Sequence, residues 1–491
     1  MRITKFLIAI SLSLLILTSC SKKYIDEVKP ADGSVSDLVI FGSKIGVDNA
    51  LTGIYSLFQT YINSRGTQNM YGLKTIQFNF DMRGNDLISD PSNWWLYENN
   101  WSDNTYGRIA TAARTEQIWN LFYKAINNAN AIILNTPNIP EGEAVKNQLI
   151  GEAKALRAYS YFWLARIYQF TYANDPNAAG VPIYTEPATS ASNGNPRAPL
   201  KDVYDLIVSD LDFAVANLTT ERVDKYRINK NVAQLLLAEV YQELAMSDNS
   251  LWTKAISNAQ EARVGFPLMS GSEYASGFNS VSNPEWLWGI QFNASQSLSY
   301  ASFFCYIDPT DNNQRYKDIY VNSSFVSQFT DTDVRNLFVE APDQSSTNPW
   351  KKWMTAKFVD NASFSGDFVL MRSAESYLIE AEGLAQTGKL EEAKDALYVL
   401  QLKRDPEVER STASTKEELI EEILLERRKE LYGEMGVQYF DLKRYQLPLV
   451  RDGNQWSMIT VPANDNRWRW QIPQAEMDAN KNLTATDQNP L

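Results

Sequence analysis

The side chains in this 491-residue sequence that could do chemistry are carboxylates, guanidiniums and aromatic rings, since it has no His and only two Cys. Without imidazole there is no Ser/His/Asp or Cys/His nucleophile system, no His-ligated zinc and no imidazole general base. Two Cys are too few for a Cys-rich metal site or an iron–sulfur cluster. A glycoside hydrolase working through two carboxylates survives this cut, as does an oxygen-ligated Ca²⁺ site. Binding by rings and amides survives best. Asp90-Pro91-Ser92-Asn93-Trp94-Trp95-Leu96-Tyr97-Glu98-Asn99-Asn100-Trp101 sets three Trp among polar, loop-like residues. Flat rings cover apolar C–H faces while amides and carboxylates take hydroxyls, which is the composition a sugar site needs. Asn93, Trp94, Trp95, Tyr97, Asn100 and Trp101 are the first ligand-binding candidates, and Tyr300, Tyr306 and Tyr320 the second. Trp286 and Trp288 have the same-face spacing of a packed strand. Asp81, Asp86 and Asp90 do not have EF-hand spacing, so no metal and no cofactor is assigned.

Helices must position these residues. Apolar residues recur at three- and four-residue spacing over about 48–62, 116–134, 149–170, 203–218, 232–264, 371–403 and 417–432. Ala381-x2-Leu384, Gly388, then Ala393 and Leu397 place small and large residues in the pattern of a tetratricopeptide repeat. Ala238-x2-Tyr241 with Ala255 and Ala259 repeats it, Ala165-x2-Tyr168 begins a third pair, and 48–62 with 116–134 forms a fourth. The expected fold is mainly α, a tetratricopeptide-like scaffold of about four helix pairs with a few short strands. Two long, irregular, aromatic-rich insertions interrupt it at 64–114 and 266–368, the second holding a short strand at Trp286–Phe292.

Arg2 and Lys5 precede an apolar run from Phe6 to Leu17, which ends in Leu17-Thr18-Ser19-Cys20. The run suits a signal-peptide core and is short for a membrane span. Its end resembles the lipobox of bacterial lipoproteins, which implies a signal peptide over 1–19, acylation of Cys20 and a polar tether over 20–37. Loss of Arg2 and Lys5 moves the formal charge from −13 to −15. An acidic field of that sign disfavours nucleic acid as a partner.

Ile423-Leu424-Leu425-Glu426-Arg427-Arg428-Lys429-Glu430-Leu431, continued by Gln438-Tyr439-Phe440-Asp441-Leu442-Lys443-Arg444, resembles the C-terminal signature of the SusD/RagB family of outer-membrane lipoproteins. The segment Leu370–Glu382, the lipobox, Ile472-Pro473 and Asn489-Pro490 agree with it. Leu400–Pro406 departs from the family's usual helix end and turn. The resemblance implies one SusD-like domain over 38–491, lipid-anchored in the outer membrane and facing outward. It implies a non-catalytic protein that captures a nutrient, most often a glycan and in some members a peptide, and delivers it to a SusC-like TonB-dependent transporter. A carboxylate-based surface glycosidase is the enzymatic alternative. Arg427 falls on the apolar face of its helix and is expected to pair with Glu382, Glu375 or Asp441 as a structural tie, with Arg372 and Arg444 in the same role.

Overall fold

Helical periodicity dictates most of the architecture. The computed structural model describes residues 41–60, 68–102, 107–189, 191–310, 316–360 and 363–491; the signal peptide, Cys20 and the tether lie outside them. The described chain begins with α1 (Lys44–Leu57) and α2 (Gly72–Met82). A serial stack follows, made of α3 (Ala113–Asn135), α4 (Glu143–Tyr168), α5 (Leu200–Asn217), α6 (Lys230–Leu244), α7 (Trp252–Ala262), α8 (Ser373–Gln386) and α9 (Leu390–Arg404), each packed on the next. α1 packs on α3 and α4, completing the fourth pair, and α10 (Lys416–Leu431) closes the far end against α8 and α9 before α11 (Val437–Arg444).

The small residues of the repeat lie at the helix seams. Ala165, Ala238, Ala255, Ala259, Ala381 and Ala393 are all buried. A Cβ on Gly383 would stand 2.7 Å from Ile256 Cγ1, so α7 and α8 approach as closely as they do only because that position has none. Local signals set the ends. Thr415 and Glu418 form a capping box on α10, whose last turn carries Arg428 and Lys429 against the helix dipole. Gly388, at φ +81°, turns the chain between α8 and α9. At the unusual 400–406 segment, α9 ends at Arg404 and Asp405 accepts hydrogen bonds from the Thr330 and Thr332 hydroxyls (both 2.6 Å).

Six short strands bridge the insertions: β1 (Leu87–Ser89), β2 (Trp286–Ile290), β3 (Ile319–Val321), β4 (Phe338–Glu340), β5 (Trp353–Thr355) and β6 (Phe368–Arg372). β1, β3, β5 and β4 form an antiparallel sheet in that order, and β2 pairs with β6. Trp286 and Trp288 are buried in that second pair.

Three expected boundaries are corrected. The 48–62 helix stops at Leu57, and the helix placed at 371 starts at Ser373 because 368–372 is taken by β6. The 64–114 insertion is not loop throughout: α2 runs through it, and all eleven of its residues are buried. Leu73, Ile76 and Phe80 keep helical spacing within it, and Lys74, Asn79 and Asp81 are buried beside them.

Candidate ligand-binding site

The antiparallel pairing of β1 with β3 decides where the aromatic loops meet. Ser89 lies opposite Ile319, so the residues that follow β1 run beside those that precede β3. The Asp90 N–H donates to the Asp318 carbonyl at 2.9 Å, and Asn93 Nδ2 reaches the same oxygen at 3.5 Å. The Trp-rich segment is thereby joined to the Tyr316 segment at one end of the sheet. Trp95 and Tyr306 meet edge to face with centroids 6.2 Å apart, and Tyr306 stacks on Tyr316 at 5.8 Å and 15°. A third strip closes on them: Asn69 Nδ2 donates to the Trp94 carbonyl at 3.2 Å, and the turn at Gln68–Met70 packs on Ser299–Ala301.

Three large rings on these strips face solvent. Trp94 is 48% exposed, Tyr300 49% and Tyr316 49%. The other candidates support them. Trp95 is buried against Phe78 (4.9 Å) with the Arg114 guanidinium over its ring. Trp101 is buried, packs on Trp468 and Tyr439, and donates its indole N–H to the Arg83 carbonyl at 2.8 Å. Tyr306 and Tyr320 are buried, and the Tyr320 hydroxyl donates to Asp343. Asn93 is buried and accepts the Trp95 N–H, whereas Asn100 is half-buried and accepts the Ser102 N–H. Tyr97 is half-buried. Tyr316 was not among the sequence candidates; one of many ring residues in 266–368, it is distinguished only by stacking outward on Tyr306.

Charged groups beneath this face are already paired. Arg114 bonds Glu98 (3.0 Å) and the Asn69 carbonyl. Lys351 bridges Asp90 and Asp343, both at 2.8 Å. Burial would raise the Asp90 carboxyl, but hydrogen bonds from Lys351 and Ser92 outweigh it and hold Asp90 below the usual range. Of the other acidic residues weighed for a cation, Asp86 pairs with Arg428 and Asp81 accepts the Gly433 N–H. Burial lifts Asp81 to about 7.

The Arg- and Glu-rich signature lies inside the protein. Arg427 bonds Asp441 at 2.8 Å and faces Glu375 at 3.8 Å. Arg444 joins Glu382 (2.9 Å) to Asp441 (3.0 Å). Glu430 receives Arg335 (2.9 Å), Arg372 (2.5 Å) and Arg404 (2.9 Å), while Arg372 also reaches Glu285 and Glu434. All these groups are buried, so they tie the start of β2, β6, α8, α9, α10 and α11 together.

A cavity of about 30 Å³ beside this network is lined by Glu239, Glu243, Glu375, Asp441 and three arginines, room for water and nothing larger. Burial raises the Glu239 and Glu375 carboxyls, and their mutual repulsion adds to the rise at Glu239. A carboxyl raised in the folded state contributes stability fully below its unfolded pKa of about 4.3, and that contribution fades as pH climbs towards the folded value. Glu239→Gln should therefore match wild type near pH 5 and exceed it at pH 8, read as urea midpoints across that range. A variant whose midpoint falls with pH as steeply as wild type would contradict this origin for the slope.

With this geometry in place, known proteins supply the family. Residues 26–242 match the family model described as starch-binding associating with outer membrane, and residues 316–491 match the SusD family model. The chain belongs to the SusD/RagB family. A SusD-like protein, P38, from Formosa agariphila is 25% identical over 89% of this chain and 90% of its own length. A SusD-like protein from Bacteroides ovatus is 26% identical over 58% of this chain and 49% of its own length. Among solved structures, a SusD-like carbohydrate binding protein from Bacteroides vulgatus superimposes with a TM-score of 0.80 at 27% identity, covering 92% of this chain and 99% of that one. A SusD superfamily protein from Bacteroides thetaiotaomicron has a TM-score of 0.74 at 24% identity over 91% of this chain and all of its own, and speaks to the fold alone. The tetratricopeptide-like helical architecture is thus that of the family.

Proposed function

We propose that this SusD/RagB-family chain captures a glycan at the cell surface through the face built by Trp94, Tyr300 and Tyr316, and passes it to a SusC-like TonB-dependent transporter. The observation that carries the reading is the exposure of these three rings on strips joined by the β1–β3 pairing and the Asn69 bond, while their aromatic neighbours are buried. Tyr316 is held by stacking on Tyr306, so a sugar that rests on its ring costs little of its side-chain freedom. Residues 38–491 act as one SusD-like unit, anchored through acylated Cys20 in the outer membrane and facing outward. Among the described residues no helix is long and apolar enough to cross a membrane. Anchored beside its transporter, the protein works at high effective concentration, and modest affinity suffices.

The chain acts here as a binder and not as a catalyst, because the carboxylates of the family signature are held in buried ion pairs with arginine. Incubating residues 21–491 with labelled polysaccharides and with peptide mixtures tests both points. Retention of a glycan without shortening is the expected result. Retention of peptides alone, or release of shortened sugars, would overturn it.

A further inference from the structure

The end of the helical stack that receives the tether carries apolar side chains that no packing explains. Among the described residues the three most exposed large apolar side chains are Val223 (83%), Ile45 (73%) and Val264 (70%). They belong to the α5–α6 loop, the first turn of α1 and the chain just past α7. Contacts gather them at one end. Val223 and Lys44 line one groove with Asp48 and Arg222, and Arg227 of the same loop pairs with Asp48 at 3.3 Å. The Lys230 N–H, opening α6, donates to the Thr219 carbonyl at 2.9 Å, and Asn231 Nδ2 donates to the Val264 carbonyl at 3.3 Å. Arg222 also lies 5.9 Å from the ring of Phe266, two residues beyond Val264. Each aliphatic directly follows a basic residue, Lys44, Arg222 or Arg263. The charges around them are matched: Asp48 takes Lys44 and Arg227, Glu152 takes Arg227, Glu380 takes Arg263, and Glu221 lines the groove beside Arg222.

We propose that this end is a lipid-contact face. Val223, Ile45 and Val264 enter the boundary between headgroups and acyl chains, while the basic residues before them keep their polar heads at headgroup level. The place where the tether ends identifies the occupant. Cys20 and Phe41 are 21 positions apart, a span of at most about 70 Å, and Ile45 follows Phe41 by four residues. An acyl anchor on Cys20 therefore draws on this end of the stack. Aliphatic side chains that stand in water gain by leaving it, and matched ion pairs leave few lone charges to strip of water. The overall negative charge of the chain is screened beyond about 8 Å at physiological salt. The inference rests on the anchoring reading above and adds a second contact, which fixes how the anchored protein is oriented; it does not depend on the glycan face.

The test is flotation of residues 21–491 with phosphatidylcholine vesicles at millimolar lipid, which needs no acyl chain. Wild type is compared with Ile45→Ser, Val223→Ser, Val264→Ser and their combination, each checked for an unchanged melting temperature. Met458→Ser is the control, a 60% exposed side chain in the segment that Arg451 ties to Gly84 and Asn99. Wild type should float with the vesicles. Each of the first three changes should weaken partition about 10-fold, the scale of leaving one aliphatic side chain in water, and Met458→Ser should not alter it. Wild type that stays in solution, Ser variants that float as wild type does, or an equal loss for Met458→Ser would overturn the proposal. A wild type that sediments as a dimer without lipid, beside a monomeric triple variant, would overturn it too and assign the face to a second copy. The mass of the amino-terminal peptide of the full chain tests the anchor separately: an unmodified Cys20 removes the anchoring reading, whereas flotation alone decides the face.

Discussion

Glu430→Gln should unfold at much lower denaturant than wild type, with a loss of about 3–5 kcal/mol, the usual result of removing one partner from a buried charge network. Gln keeps the volume and one acceptor oxygen, so no cavity forms; what disappears is the negative charge that Arg335, Arg372 and Arg404 share. Burial by itself would raise the Glu430 pKa, but the three guanidiniums overcome it and hold the carboxyl well below the ordinary range. The sign then follows from linkage. A carboxylate depressed in the folded state contributes stability that is complete above its unfolded pKa of about 4.3 and is lost as pH falls towards the folded value. Wild-type urea midpoints should drop steeply in that acid range, and the Gln variant should show a shallower drop from a lower plateau. A variant within 1 kcal/mol of wild type at pH 7, on the ~3–5 kcal/mol scale above, would mean that the arginines find other partners and that the network does not hold the helices.

Trp101→Ala should cost a comparable amount, about 3–5 kcal/mol for a buried Trp. Its ring is 4% exposed, lies 4.9 Å from Trp468 and 5.7 Å from Tyr439, and its indole N–H satisfies the Arg83 carbonyl. Trp94→Ala, seven positions earlier, removes a half-exposed ring and should stay within about 0.5 kcal/mol of wild type. Urea unfolding of the two variants side by side measures the contrast directly. Equal losses would mean that Trp94 is a packing residue and has no free face for a ligand.

That contrast marks where the sequence stops being legible. Arg427 on the apolar face of its helix could be read as a structural tie because the carboxylates within reach were few, and its bond to Asp441 is one of those expected. The alanine seams of the repeat were readable for a similar reason: spacing within a helix is a local property. Trp94 and Trp95 offer no such signal. They are adjacent, alike in chemistry, and separated only by contacts with Phe78 and Tyr306, the latter more than two hundred residues away. Tyr316 stayed hidden among the rings of its insertion because its exposure depends on stacking over Tyr306. α2 lies inside the expected irregular insertion; its Lys74 is buried, donating to the Gly433 and Glu434 carbonyls, which no local pattern reveals.

The measurement that bears most directly on the central claim is mobility in polysaccharide gels of residues 21–491, wild type beside Trp94→Ala, Tyr300→Ala and Tyr316→Ala, singly and combined. Each exposed ring is expected to contribute as a binding hot spot does, about 1–3 kcal/mol. The account predicts retardation of wild type in at least one polysaccharide, weakened by each single change and abolished by the triple change, with melting temperatures unaltered. Retardation that survives the triple variant would place the glycan site elsewhere and contradict the account.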